Sequence, residues 1–341
     1  MPPVSDWWFL TMKTINIGII GCANIVEKHI IGAFDTIKNG KIITIASRDI
    51  GKAKTWSKKI NCEYDKSYED LLERKDIDAV YIPLPIGLHR EWVIKAAKAK
   101  KHIICEKSLT DSFSAAKEMV NACKKNKVVL YENFMCNYHP QHQRVEALIS
   151  DGTIGDVHLF KGFFGFPPLK ENSFVYKKSL GGGSLNETGT YPVFMSRKTL
   201  KSEPLSVTCS LFYDKIHDAD IRGSAYMEFQ KNKSALISFG FDNMYQNNYS
   251  VWGSTGLINV DRAYSIPADM KPQIELIKQN SNKKIDAAAA NHFTLIFNDF
   301  FNSILEKRKI DYSSILSQAR VMEALRISAK KDKKVKVDSI N

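Results

Sequence analysis

The chain has 341 residues, longer than one hydrophobic core usually grows, so two domains are expected. Hydrophobic residues make up 44% and charged residues 25%, which argues against disorder, and no apolar run approaches the roughly 18 residues of a membrane helix. The formal charge of +12, from 49 Lys+Arg against 37 Asp+Glu, is spread along helix-like stretches without a nucleic-acid motif; an anionic small molecule also fits a positive field, so charge does not decide function.

Residues 1–12 read as a loose extension: Trp7 to Leu10 is too short for a secretory core, no basic start precedes it, and Met12 offers an alternative start. Residues 13–20 (KTINIGII) form an apolar, β-branched strand ending at Gly21, and a helix follows from Ile25 to about Lys38. Strands at 42–47, 78–83, 102–106 and 128–132 then alternate with helices at Gly51–Lys59, Glu91–Lys100 and Ser112–Lys125. That alternation predicts a doubly wound parallel sheet, a Rossmann domain over 13–135. After about residue 135 strands come in succession, at 157–166, 205–213, 224–230, 234–241 and 249–254. Turn-like residues, including Gln230–Lys233 and Asn247–Asn248, separate them, and helical patterns at 291–307 and 313–329 follow. An α+β domain with a large, mostly antiparallel open sheet is expected over 136–341. The basic run Lys330–Lys336 reads as a solvated tail.

The six cysteines (Cys22, Cys62, Cys105, Cys123, Cys136, Cys209) are scattered, with no C-x-x-C pair, and point to a reduced, cytoplasmic setting. No metal-ligand spacing and no G-x-S-x-G elbow occurs, so no metal site is expected.

The first strand runs into Gly21-Cys22-Ala23-Asn24-Ile25-Val26. A dinucleotide fingerprint has G-x-G-x-x-G/A here: the first glycine makes the tight turn and the second lets backbone approach the pyrophosphate. Gly21 fits, while Ala23 and Val26 are larger than ideal, so spacing alone is also compatible with an ordinary strand-to-helix turn. The position between the first strand and first helix favours a phosphate site with Gly21, Ala23, Asn24 and Ile25. Ser47-Arg48 ends the second strand, where an NAD site carries a carboxylate; Arg48 suits a 2′-phosphate and hence NADP(H), although Asp49 follows immediately.

Several motifs, in order, resemble the glucose–fructose oxidoreductase/inositol dehydrogenase (GFO/IDH/MocA) family from residue 13 onward. These are Pro83-Leu84-Pro85 with His89, Cys105-Glu106-Lys107-Ser108 (Ser where the family has Pro), and the glycine-rich Gly181–Gly183 running through Glu187 to Tyr191. The GCANI turn, SRD at 47–49, ENFM at 132–135, HPQH at 139–142, FPP at 166–168 and VYKKSLGGG resemble its nucleotide-sugar 3-ketoreductases. The resemblance implies an NADP(H)-dependent oxidoreductase reducing a 3-keto group on a nucleotide-linked sugar, as a homodimer or homotetramer. It implies Tyr191 as proton donor with Lys107 assisting, Leu84, His89, Glu106 and Lys107 beside the cofactor, and His139, Phe166, Glu187 and Tyr191 at the substrate. Gln141 is a weaker candidate and Asn186 has no assignable partner. Glu187 stands where many members carry Asp, and Tyr191 where many use His. Two other readings compete: a dehydrogenase of a free sugar, cyclitol or dihydrodiol, and a non-catalytic NADP-sensing regulator. Lys107 and Tyr191 together argue against the regulator.

Overall fold

The computed structural model describes residues 13–341, so the expected extension over 1–12 lies outside the described residues. The first half contains β1 (Ile15–Ile20), α1 (Ile31–Phe34), β2 (Gly40–Ala46), α2 (Ile50–Ile60), β3 (Glu63–Asp65) and α3 (Tyr68–Glu73). It continues through β4 (Ala79–Ile82), α4 (Ile86–Lys98), β5 (His102–Cys105), α5 (Phe113–Asn126) and β6 (Leu130–Glu132). All six strands are parallel, in the order β3-β2-β1-β4-β5-β6. The order reverses between β1 and β4, which is where such sheets open a ligand crevice at their carboxyl ends. Ile15, Ile17, Ile19 and Ile20 of β1 are all buried because helices cover both faces.

The second half contains α6 (Pro140–Ser150), β7 (Val157–Gly165), α7 (Thr190–Leu200), β8 (Ser206–Phe212), β9 (Arg222–Glu228), β10 (Ser234–Gly240) and β11 (Gln246–Gly253). β12 (Leu257–Asp261), β13 (Gln273–Lys278), β14 (Ser281–Asp286), α8 (His292–Leu305), α9 (Ser313–Lys331) and β15 (Val335–Lys336) complete it. Its nine-stranded sheet runs β14-β13-β12-β11-β7-β10-β9-β8-β15, antiparallel except where β10 meets β7. Helices α7 and α9 pack on one face, and among the described residues the other is left bare: in β10, Ala235 and Ile237 point inward and Leu236 outward. The expected pair of architectures is borne out.

Several local expectations need correction. The first helix is a π turn (Val26–Ile30) plus α1, ending at Phe34 rather than Lys38. Asn247–Asn248 is not a turn but lies in β11; the Asn247 side chain accepts from Tyr264 N (2.7 Å) and donates to Ser265 O (3.1 Å), so its polarity serves a neighbouring loop. The Lys330–Lys336 run is not a loose tail: its lysines are exposed, but Val335 is buried and pairs with Val207 of β8. Unanticipated elements are β3, α3, α6, α7 and β12–β15. Nearly all of α7 is buried, which leaves no amphipathic stripe to read, and exposed β14 has no apolar alternation.

Helix α8 ties the halves together. Phe297 packs edge-on to Phe34 (5.1 Å) and Tyr81 (5.4 Å), and a Cβ at Gly40 would fall inside the ring of Phe301.

Candidate active site

A cleft of about 640 Å³ opens at the carboxyl ends of β1, β2, β4 and β5. Its floor begins at Gly21, whose φ of 115° and the Leu84 side chain 2.7 Å from a would-be Cβ admit no larger residue. Cys22, Ala23, Asn24 and Ile25 continue the wall into the π turn. Ser47 and Arg48 follow the end of β2, and Lys52 stands in the first turn of α2. The Asp49 carboxylate caps α2 by accepting from Lys52 N (3.1 Å), and Asp49 N donates to Ser47 Oγ (3.2 Å). The acid beside Arg48 is therefore engaged as a helix cap, and two cations flank the cleft at that point. Leu84, Glu106, Lys107 and, from the second half, Phe174 and Glu187 complete the lining.

Lys107 is nearly enclosed. Its Nζ donates to Glu187 Oε2 (3.0 Å) and Glu187 O (3.2 Å) and lies 5.1 Å above the centroid of the Tyr191 ring. Tyr191 is buried among Phe134, Phe164 and Tyr264, and among the described residues its hydroxyl donates only to Met135 Sδ, at 3.9 Å. The resemblance implies that Lys107 assists Tyr191, and an ammonium nearby would lower a phenol's pKa; in this arrangement burial, then the negative charge of neighbouring groups, pushes the Tyr191 pKa well above the ordinary phenol instead. The ammonium is held on the ring face by Glu187, away from the hydroxyl. Glu106 accepts from Tyr81 Oη (2.7 Å) and Asn133 Nδ2 (2.5 Å); burial holds its carboxyl above the usual range.

The other sequence candidates are placed less centrally. His89 does not line the cleft: it is wholly buried, with Nε2 at 2.7 Å from Leu84 O and Nδ1 at 3.1 Å from Ser108 O and Leu109 O. It ties the loop after β4 to the segment after Lys107, and burial lowers its pKa. His139 is a buried cap of α6, accepting from Gln141 N (3.3 Å), and burial lowers its pKa to about 4. Gln141 is also buried and donates to Arg262 O (3.2 Å). Phe166 stacks on Phe241 (5.3 Å) and meets Phe164 edge-on (6.1 Å), one ring removed from Tyr191. Asn186 does have partners: it donates to Gly181 O (3.0 Å), accepts from Arg326 Nη1 (2.9 Å), and its carbonyl takes the Ser108 hydroxyl (2.9 Å). Ser108 thus makes a cross-link between the halves that proline has no group to make.

Sequence reasoning missed Lys52, Tyr68, Ile86 and Phe174 in the cleft wall. Lys52 was within reach, because it lies one helical turn beyond Arg48 on the same helix start. Phe174 carried no local signal. Among the described residues no cluster of His, Cys, Asp or Glu is arranged to hold a metal.

The profile described as "Oxidoreductase family, NAD-binding Rossmann fold" matches residues 15–134, and that of the "GFO/IDH/MocA C-terminal domain" matches 142–259. A dTDP-3,4-didehydro-2,6-dideoxy-alpha-D-glucose 3-reductase from Saccharopolyspora spinosa is 32% identical over 92% of this chain and 97% of its own. Its counterpart from Actinomadura kijaniata is 31% identical over 93% and 96%. A 3-ketoreductase from Actinomadura kijaniata, solved with NADP and TDP-benzene, superposes with a TM-score of 0.90 at 31% identity, covering 93% of this chain and 98% of that one. That ketoreductase has also been solved with a tyrosine changed to phenylalanine and with a lysine changed to alanine, two positions separated by the same interval as Tyr191 and Lys107.

Proposed function

The chain belongs to the GFO/IDH/MocA oxidoreductase family, and from that premise we propose that it reduces the 3-keto group of a nucleoside-diphosphate-linked deoxysugar with NADPH. The observation that carries the reading is the Lys107–Glu187–Tyr191 constellation at one end of a cleft whose other end bears Arg48 and Lys52. The cleft fits the coenzyme: Gly21 leaves room for a backbone approach, and Ser47, Arg48 and Lys52 suit a 2′-phosphate while Asp49 is occupied as a cap. We assign the coenzyme to residues 13–135 and the sugar to residues 136–341.

NADPH, when bound, supplies a hydride to the ketone carbon. The carbonyl oxygen then needs a proton, and Tyr191 is the donor: burial keeps its phenol protonated until an oxygen with developing charge arrives. Lys107 stabilises the oxygen as charge builds, and afterwards the tyrosinate, once a short rotation takes its ammonium off Glu187. Glu187, released, accepts from a sugar hydroxyl. Solvent returns the proton to Tyr191 and closes the cycle.

The test uses Tyr191→Phe and Lys107→Ala with a dTDP-linked 3-ketosugar, following NADPH oxidation by absorbance. Each variant is expected to lose about 10²–10⁴-fold in kcat while binding NADPH as the parent does. Parent-like turnover by Tyr191→Phe overturns the assignment; parent turnover of free sugars or dihydrodiols, with none of the nucleotide sugar, overturns the substrate.

We further propose a cytoplasmic homodimer or homotetramer. Unpaired Cys22, Cys62, Cys105, Cys123, Cys136 and Cys209 support the compartment, and the bare sheet face, with Trp252 at 50% and Leu236 at 42% exposure, supports the association.

A further inference from the structure

A cavity of about 520 Å³, separate from the cleft at Lys107, opens between the π turn Leu185–Gly189, α9 and the loop from β8 to β9. Small molecules occupy pockets of roughly 300–1,000 Å³. The two cavities share no lining residue, yet the partition between them is thin: Asn186 lines this one and Glu187, the next residue, lines the cleft. The deep wall is polar. Asp220 is buried, and its Oδ2 accepts from Ser184 Oγ (2.7 Å) and Leu185 N (2.8 Å). Oδ1 of the same carboxylate takes no donor among the described residues, and burial pushes the group above its ordinary range. Arg326 of α9 is half-buried on that wall; its Nη2 donates to Glu323 Oε2 (3.2 Å) and its Nη1 to Asn186 Oδ1 (2.9 Å). Nearer solvent, Leu211, Ala329 and the ring of Tyr213, 52% exposed, add apolar surface.

These groups narrow the ligand by its charge. A buried carboxylate oxygen repels an anion, and the Arg326 charge is already met by Glu323. The same guanidinium disfavours a cation, and the rim is balanced, Lys178 and Lys330 against Asp111 and Asp218. A neutral ligand remains, with hydroxyls that donate to Asp220 Oδ1 and accept from Arg326, as the neighbouring hydroxyls of a sugar can. The Tyr213 ring offers a flat apolar face to the carbon skeleton of such a ligand.

The cavity wall is also wired to Lys107. Asn186 Nδ2 donates to Gly181 O (3.0 Å) and its carbonyl takes the Ser108 hydroxyl (2.9 Å), while Glu187 holds the Lys107 ammonium at 3.0 Å. We propose that this cavity binds a neutral monosaccharide or cyclic polyol as an effector. Bridging Asp220 and Arg326, the ligand braces Asn186 and keeps Glu187 on Lys107. The reduction proposed above requires Lys107 to leave Glu187, so the occupied site slows turnover. That effect rests on the proposed function; the binding does not.

The experiment titrates D-glucose, D-galactose and myo-inositol into the NADPH-loaded full chain by saturation-transfer NMR, with glucose 6-phosphate alongside. At least one neutral probe is expected to bind with a Kd of about 1 mM, as suits a ligand of about a dozen heavy atoms. Tyr213→Ala weakens that binding about 10-fold, and Ala329→Trp, which fills the cavity, abolishes it. NADPH binding is unchanged in both variants and shows that they are folded. At saturating sugar, kcat for the nucleotide-linked ketone falls by at least about 5-fold with KM unchanged. Tyr213→Ala turns over like the parent without sugar and escapes the effect at the same sugar concentration. Failure of all three neutral probes to bind the parent overturns the site. So does parent-like binding by folded Tyr213→Ala and Ala329→Trp, which would put the sugar in the cleft. Tighter binding of glucose 6-phosphate overturns the neutral class. A sugar that raises KM at constant kcat competes with substrate and overturns the proposal; a bound sugar that changes neither overturns the effector role. If the ketone is not turned over at all, the substrate class falls and the binding measurements still decide the site. Should Ala329→Trp fail to fold, Tyr213→Ala decides.

Discussion

Lys107 has two partners and one ammonium. In the structure it is committed to Glu187 at 3.0 Å and only overhangs the Tyr191 ring, so Tyr191, the proposed proton donor, is held buried with its pKa raised. Cationic residues at the far end of the cleft have a simpler task. Arg48→Ala combined with Lys52→Ala is expected to cut the preference for NADPH over NADH by about 10–100-fold, read from the ratio of kcat/KM values, with little change for NADH. Glu132 illustrates what burial does even against a favourable hydrogen bond and nearby cations. It accepts from Leu109 N (2.8 Å), and burial raises its pKa from 4.5 to about 7. Between those values the folded chain holds a proton that the unfolded chain releases, so stability falls as pH rises through that window. Glu132→Gln removes this slope. Urea unfolding should find parent and variant alike near pH 4.5 and the variant more stable above pH 7.5, on the order of 1–2 kcal/mol, since the carboxyl borders a surface cleft. A difference that is constant with pH would contradict it.

Between Gly181 and α7 the chain makes a short tight segment whose geometry decides where Glu187 and Tyr191 stand. Gly183 has a φ of 120° and a Cβ there would collide with the Asp220 carboxylate, which accepts from Ser184 Oγ (2.7 Å) and Leu185 N (2.8 Å). Asp220 thus anchors the start of the π turn Leu185–Gly189 from a different part of the sheet domain. Asp220→Ala strands both donors and should cost about 2–4 kcal/mol in urea unfolding, with kcat falling more than NADPH affinity. Asp220→Asn keeps one acceptor and should lose roughly half as much. A second element-level constraint is the seat of α8 on β2. Gly40→Ala places a methyl in the Phe301 ring, and a loss of about 1–3 kcal/mol is expected by thermal or urea denaturation.

At the scale of the molecule, the loops of one parallel sheet face one antiparallel sheet, and Lys107 of the first meets Glu187 and Tyr191 of the second, where the proposed chemistry takes place. The uncovered face of the second sheet carries Trp252, Leu236 and Tyr226. Trp252→Lys with Leu236→Lys should shift sedimentation toward monomer while NADPH still binds; an unchanged profile argues against association through that face. Much of this architecture is written locally. A strand buried on both faces is apolar throughout, as in β1, and a strand covered on one side alternates, as in β10, so both sheets are legible from periodicity alone. The strand-end positions of Gly21, Arg48 and Lys107 follow from the same alternation, because Gly21 comes directly after an apolar run and Arg48 and Lys107 one polar residue beyond one. Other features depend on partners far away in sequence. Helix α7 is buried on nearly every side and β14 on almost none, so neither shows a period; Asn247 resembles a turn residue only until its bonds to the 264–265 loop are seen. Nothing near His89 distinguishes a coenzyme contact from a clamp on three carbonyls, and nothing near Lys107 foretells its pairing with a carboxylate 80 residues on. Local sequence sets which backbone forms and which face is buried, since those depend on neighbours one turn away. Tertiary structure alone decides which charges share a low-dielectric seam, because that depends on how two separately patterned sheets are brought together.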